Sequence, residues 1–450
     1  MKHPTTSEHM QTALPPSPAP LSYWARIAVL VAASLGLLFD GIELGLMPVA
    51  SLSVSKSLLG VAYTPTLGGD WFARFTAALM LGAAIGGVLL GNLGDRIGRT
   101  RAMGISIVFY SLFALLGAWV RTQEEMLVLR FMVGLGVGGM WPNGMALVSE
   151  CWSAASRPWV SGVMSAGLNA GILLLSQIVR FWPLTPESWR WLFYLGGAPA
   201  ILGVVVLVAL PESPTWLSDR GRIKRPPPPV RELFQFEFLR LTLVAILLAS
   251  IPLVGAWSAS KWMIPWADKV AGTSNPGYKA ITQGWWALGA TLGSFTGAQL
   301  SRWMGRRTSY FLISIGATAL TLVMFRWTAP LQASFHVIVF AQGLVATLFF
   351  GWLAVYLPQM FPTRVRATGS GLAYNSGRFA TAAGVLAAGG LFAYLGGDYA
   401  RVGTICSLIY AVGALAIWWL PKETNSIRAH SRDSREKIRT EQHAALRSKS

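Results

Sequence analysis

The chain has 450 residues, of which 53% are hydrophobic and only 12% charged. Soluble globular chains carry about 25% charged residues, so this composition excludes an ordinary soluble domain and points to a polytopic membrane protein. The formal charge of +18 would suggest a nucleic-acid partner in a soluble chain. Here the basic residues flank apolar spans, where they set orientation and meet anionic lipid, and no nucleic-acid partner is expected.

The first 22 residues are polar and Pro-rich, without the short apolar core of a cleavable signal. Residues 1–22 are therefore expected to form a disordered cytoplasmic tail. Apolar stretches of about the 20 residues that cross a bilayer fall near 26–50, 71–91, 102–120, 126–149, 159–180 and 190–210. Six more fall near 238–260, 280–300, 308–328, 333–357, 369–395 and 401–421. This spacing predicts an all-α polytopic membrane protein with twelve transmembrane helices in two six-helix halves, 23–211 and 238–421. Residues 212–237 read as a cytoplasmic linker carrying Pro226 to Pro229, a stiff polyproline spacer. Residues 422–450 read as a basic cytoplasmic tail. Arg96, Arg99, Arg101, Arg157, Arg302, Arg306, Arg307, Arg364 and Arg366 then share one side with the linker's basic residues. The positive-inside rule makes that side the cytoplasm, and twelve spans put both termini there. Only Cys151 and Cys406 are present, so no disulfide framework or cysteine metal site is expected. No Asn-x-Ser/Thr sequon occurs, which favours a bacterial inner membrane.

Ionisable groups inside membrane helices cost a few kcal/mol each on insertion scales and are functional by default. Asp40 lies past the middle of the first span, with Glu43 one turn later on nearly the same face. Both are candidates for proton coupling; the alternative is that one or both pair with arginines for structure alone. Arg378 falls near the middle of the eleventh span, one turn after Asn375. Arginine stays protonated and cannot carry a transported proton, but its fork suits a carboxylate. Arg130 lies one turn into the fourth span, where snorkelling or a structural ion pair is expected. Asn169, Asn143, Gln342, Trp352 and Tyr356 are polar or aromatic at mid-span and make a candidate substrate wall, together with Trp141, Gln177, Trp257 and Gln283. Packing is the plainer role for each taken alone.

An internal repeat appears when the chain is slid over itself. Glu150 and Arg157 stand seven apart before Gly162, and Gln359 and Arg366 stand seven apart before Gly371, at an offset of 209. The same offset superposes Asn143 on Trp352 and Asn169 on Arg378. Two related halves are therefore expected around a pseudo-two-fold, with a cavity between them. The loop from Gly91 to Arg101 crowds Asp95, Arg96, Arg99 and Arg101 with Gly91, Gly94 and Gly98, so it must turn tightly at a membrane surface. Its echo in the second half carries Arg302 where Asp95 stands, and Gln359 replaces the acid of Glu150. If acid–base pairs latch a gate at this surface, the latch belongs mainly to the first half.

The order Gly91, Leu93, Asp95, Arg96, Gly98, Arg99 resembles the loop between helices 2 and 3 of the major facilitator superfamily. That resemblance covers roughly residues 25–421. It implies the superfamily's twelve-helix fold, transport by alternating access, and a gating role for Gly91, Asp95, Arg96, Gly98, Arg99, Glu150, Arg157 and Arg366. Phe39-Asp40-Gly41-Ile42-Glu43 resembles the Asp-Gly-x-Asp of aromatic-acid:proton symporters and related organic-acid carriers, with Glu in place of the last Asp. Tyr374-Asn375-x-Gly377-Arg378 is similar to the same group, whereas Pro211-Glu212-Ser213-Pro214 resembles a sugar-porter signature.

No cofactor is expected. Gly134-x-Gly136-x-x-Gly139 matches the dinucleotide fingerprint, but no strand precedes it, and in an apolar helix these glycines permit close helix approach. No phosphate-binding Gly-rich loop offers ATP drive, and the five histidines form no metal pattern. The expectation is a monomeric, proton-coupled symporter of a small organic carboxylate, aromatic acids first. A sugar or polyol porter stays open, although Arg378 is a poor partner for a neutral sugar. An organic-cation carrier would place an acid there. A sensor on a transporter scaffold and a membrane enzyme are the remaining readings, the first without a signalling domain and the second without a catalytic constellation.

Overall fold

The structure is a computed structural model and describes residues 21–152, 157–219, 230–362 and 365–420. Because hydrocarbon offers no hydrogen bonds, a crossing segment must satisfy its backbone internally, and each apolar stretch is helical. In chain order the helices are α1 (Tyr23–Leu59), α2 (Pro65–Ile97), α3 (Arg99–Leu116), α4 (Gln123–Cys151), α5 (Arg157–Phe181), α6 (Trp191–Gly197), α7 (Ala200–Ala209) and α8 (Pro214–Asp219). They continue as α9 (Phe236–Val254), α10 (Met263–Ala271), α11 (Tyr278–Met304), α12 (Arg306–Arg326), α13 (Ala333–Gln359), α14 (Arg366–Tyr394), α15 (Tyr399–Cys406) and α16 (Leu408–Ala416). Pairing α6 with α7, α9 with α10 and α15 with α16 gives twelve membrane-length segments among the described residues. The expected linker is partly helical, in α8 and a 3-10 turn at Val230–Phe234, while Pro226 to Pro229 lie outside the described residues.

Ten segments are both long and apolar enough to cross a membrane. The exceptions are α11 and α14, diluted by Lys279, Gln283 and Gln299 and by Asn375 and Arg378. These two pack across the interface between the halves, α11 against α5 and α14 against α2. Their polarity follows from facing protein and a cavity rather than lipid.

Within each half the pairing repeats: α2 packs on α4, and α11 on α13. Glycines set both crossings. An added Cβ at Gly134 would come within 2.3 Å of the Leu79 carbonyl oxygen, and one at Gly343 within 2.2 Å of the Trp286 carbonyl oxygen. Such backbone-to-backbone approach is how membrane helices gain packing energy without a hydrophobic driving force. At one end of the bundle, helix starts carry their own caps: Thr64 before Pro65, a Thr122/Glu125 capping box, and Asp398 before α15. The other end holds the tight turn at Gly98 (φ +115°) and its counterpart at Gly305 (φ +80°).

Between α9 and α10 the chain leaves α geometry. Pro252 removes a backbone donor, and Gly255–Ala259 form a π-turn followed by a 3-10 turn at Ser260–Trp262. Such irregularities are frequent at functional sites, and this one delivers Trp257 and Lys261 to the molecule's central cavity.

The tightest crossing joins α1 to α5 beside Asp40, where a Cβ on Gly41 would lie 1.8 Å from the Leu168 carbonyl oxygen. Gly41→Ala should therefore destabilise the protein by about 1–3 kcal/mol, the usual cost of overpacking. Gly390→Ala, with nothing within 4 Å of the new Cβ, should be nearly neutral. Thermal unfolding of the two variants in detergent checks the contrast.

Candidate functional site

A central cavity lies between the halves, lined by α1, α2, α4 and α5 on one side and by α9, the broken segment, α11, α13 and α14 on the other. Its volume is about 110 Å³. An apolar cavity of about 150 Å³ holds benzene, so in this state the space is on the scale of one ring. Trp141, Trp257, Trp286, Phe350 and Tyr374 supply aromatic walls. Charge enters from three residues: Asp40, Arg378 and Lys261.

Asp40 is 1% exposed and its Oδ1 has no hydrogen-bond partner. Arg378 is the cation whose charge bears on it. One arm of that guanidinium is already held, Nη1 donating to the Ala83 carbonyl oxygen at 2.9 Å, and its carbon lies 5.3 Å from the Tyr374 ring centre. Asn169 also lines the cavity and bridges the halves, its Nδ2 donating to Ser294 Oγ at 2.9 Å. Thus Asp40, Arg378, Asn169, Trp141 and Trp257, all read from the sequence, meet at one site.

The other expected wall residues are held by backbone or side-chain partners away from the cavity. Asn143 is fully buried and donates to the carbonyls of Leu90 and Gly139, at 2.9 and 2.8 Å, tying α4 to α2. Trp352 Nε1 donates to the Arg306 carbonyl at 2.7 Å, and the Tyr356 hydroxyl donates to the Ser301 carbonyl at 3.0 Å. Asn375 donates to Gly371 of its own helix at 3.1 Å and lies against Gly87. Gln342 sits one layer behind the wall: it accepts from Trp286 Nε1 at 2.7 Å and donates to Ser260 Oγ at 2.6 Å. Gln342 therefore orients an aromatic wall without reaching the space itself.

Glu43 is set apart from Asp40. Both its carboxylate and its carbonyl are bound by Arg130, with Nη1 to Oε2 and Nη2 to the backbone oxygen each at 3.1 Å. Both residues are at least 99% buried, so Arg130 does not snorkel, and the pair locks α1 to α4. Toward the capped end, Lys279 Nζ donates to Asp268 Oδ2 at 3.1 Å and to Ser53 Oγ at 3.2 Å, linking the halves. Gln283 adds a second link to Ser176 at 3.2 Å, and Trp262 packs between Phe72 and Phe392 at ring distances of 5.2 and 5.0 Å. Nearby, burial and then the charge of Asp268 push the Tyr63 phenol up to about 12, so that hydroxyl stays neutral. The capped end is closed between cavity and surface.

At the opposite end, Arg99 bonds Asp95 at 2.6 Å and reaches Glu150 at 3.4 Å. Glu150 also accepts from Ser213 Oγ. Glu212 accepts from the backbone of Thr100 at 3.0 Å and covers the Gly98 turn, where any Cβ would strike its carboxylate. Gly91 faces Pro142, and Arg96 is exposed. The Arg157 side chain lies outside the described residues. In the second half, Arg302 and Gln359 are exposed, and Arg366 donates to the Phe361 carbonyl at 3.3 Å. The Gly305 turn is open by contrast, since a Cβ added there would meet nothing within 4 Å among the described residues.

Sequence reasoning missed Lys261, Trp286 and the Lys279–Asp268–Ser53 link. Pro252 followed by Gly255 was the available signal that the seventh span is broken and runs past residue 260.

The profile of the Major Facilitator Superfamily matches residues 29–304, and the chain belongs to that superfamily. It is a multi-pass membrane transporter, not an enzyme. The chain is 29% identical over 358 residues to a protein of Cupriavidus pinatubonensis described as "Probable 4-methylmuconolactone transporter", covering 78% of this chain and 81% of that one. It is 29% identical over 406 residues to the cis,cis-muconate transport protein of Acinetobacter baylyi, covering 86% and 94%. Its fold is similar to that of the xylose transporter XylE from E. coli in a partially occluded inward-open conformation, with a TM-score of 0.68 at 18% identity over 89% of this chain and 99% of that one.

Breaking a buried ion pair on one side strands the other charge, at about 3–5 kcal/mol. Glu43→Gln should therefore lower unfolding stability by about that amount, and Glu43→Leu with Arg130→Met should recover most of it. Chemical unfolding in detergent reads both. A Glu43→Gln protein of wild-type stability that has lost pH-driven accumulation would instead return Glu43 to proton coupling.

Proposed function

We propose that this chain is a proton-coupled symporter of small organic carboxylates, aromatic acids first, working by alternating access as a monomer in a bacterial inner membrane with both termini cytoplasmic. The observation that carries this reading is the meeting of a titratable Asp40 and a permanently charged Arg378 in one aromatic-lined cavity between the halves. With Asp40 ionised, Arg378 has an internal counter-ion. With Asp40 protonated, the guanidinium is left to an incoming carboxylate, so proton and anion bind interdependently. The relatives named for muconate and methylmuconolactone transport support an organic-acid substrate. A neutral sugar would leave Lys261 without a counter-charge even when Asp40 is ionised and balances Arg378, a cost that a low-dielectric site makes large.

In this scheme Asn169 couples substrate to the interface through Ser294, and Gln342 holds Trp286 against the ligand. The Asp95–Arg99–Glu150 cluster, with Gly91, Arg96, Gly98, Arg157 and Arg366 around it, organises the cytoplasmic gate. Opening there exchanges substrate and proton with the cytoplasm, while the Lys279–Asp268–Ser53 link keeps the other end shut.

Asp40→Asn should abolish accumulation driven by a pH gradient in proteoliposomes and preserve counterflow exchange, because exchange needs no net proton movement. Wild-type accumulation by that variant would remove Asp40 from coupling.

Arg378→Gln should weaken binding of an aromatic acid roughly 10- to 100-fold, the worth of a charge-assisted hydrogen bond of about 1.5–3 kcal/mol. Binding of the neutral amide analogue should change little. An undiminished preference for acid over amide in the folded variant would make Arg378 structural.

A further inference from the structure

Lys261 is a buried charge without a carboxylate partner among the described residues. It is 1% exposed, lines the cavity, and its Nζ has no hydrogen-bond partner. No carboxylate among the described residues forms a salt bridge with it. Its neighbours are rings: Nζ lies 3.4 Å from the centre of Trp286 and 5.8 Å from that of Trp257. The Trp286 ring is fixed from behind, since its Nε1 donates to Gln342, and Gln342 donates in turn to Ser260, the residue before Lys261. The ammonium is thus held in place at the cavity wall with its donors unspent. Leaving a buried ammonium unpaired is expensive, and cation–π contact offsets only about 2 kcal/mol of that when desolvated. An anionic ligand would supply the rest.

Lys261 and Arg378 also sit at different depths. Trp286 lies eight residues from the capped-end start of α11 at Tyr278, whereas Arg378 lies sixteen residues from the capped-end terminus of α14 at Tyr394. At about 1.5 Å per residue the backbones at Trp286 and Arg378 are offset by roughly 12 Å along the bundle, so the two cations approach the cavity from different depths. A single ring or diene carrying a carboxylate at either end would present one anion to each of two cations placed at different depths. Arg378 is the cation that Asp40 balances, so protonating Asp40 would leave the cavity with two uncompensated positive charges.

We propose that Lys261 is a second anion-recognising residue, and that the cavity selects small rigid dicarboxylates whose two carboxylates engage Arg378 and Lys261. This rests on the organic-anion reading above and specifies its substrate class.

The test is binding of terephthalate, its monoamide and benzoate to the purified full-length protein by calorimetry, for wild type, Lys261→Gln and Lys261→Arg. Wild type should bind the diacid at least tenfold tighter than the monoamide. Lys261→Gln should reduce that ratio to about twofold or less, and Lys261→Arg should keep most of it. A wild-type ratio near one would overturn the proposal, as would an unchanged ratio in a folded Lys261→Gln protein. If Lys261→Gln does not fold, the wild-type ratio together with its retention in Lys261→Arg decides. Failure of all three ligands to bind, benzoate included, would sink the organic-anion reading itself, whereas benzoate binding without a diacid preference would sink only the role of Lys261.

Discussion

A charge taken out of water between membrane helices must be met by another charge, by a ring of dipoles, or by a ligand. That requirement sorts the buried ionisable residues of this transporter into two groups. Glu43 with Arg130 and Lys279 with Asp268 form ion pairs within the protein, the first inside one half and the second near the seam between halves. Asp40, Arg378 and Lys261 form no salt bridge among the described residues, and all three line the cavity. These three charges are placed where something can arrive and leave.

For those groups to change partners, the helices around them must hold their shape. Glycine-to-carbonyl contacts at the α2–α4 and α11–α13 crossings make each half a closely packed unit, and the Glu43–Arg130 pair adds a lock between α1 and α4. The interface between halves combines the packing of α11 on α5 and α14 on α2 with single hydrogen bonds such as Asn169 to Ser294 and Gln283 to Ser176. Individual bonds of this kind contribute about 1 kcal/mol net, which suits a seam that opens and recloses. The two ends are also unequal. Rings and the Lys279 link close the capped end, while the acid–base cluster at the other end belongs to the first half, with the Gly305 turn opposite uncovered by any described residue.

Much of this was legible in the amino-acid sequence. Apolar run lengths determined the helices, the offset of 209 determined that two halves repeat, and the rarity of charge in those runs singled out Asp40 and Arg378. These properties are one-dimensional: they depend on composition and on depth along a helix, and depth is set by a constant rise per residue. Rotation about the helix axis was decided only by tertiary packing. Asp40 and Glu43 differ by about 60° around α1, enough for one to reach the cavity and the other to meet Arg130. Asn143 and Trp352 superpose in the repeat and share a depth, yet both turn toward neighbouring backbones. Lys261 was hidden for a related reason. A π-turn after Pro252 shifts the register of every later side chain, so its direction follows from where the broken helix packs, and no periodic pattern in the sequence carries that information.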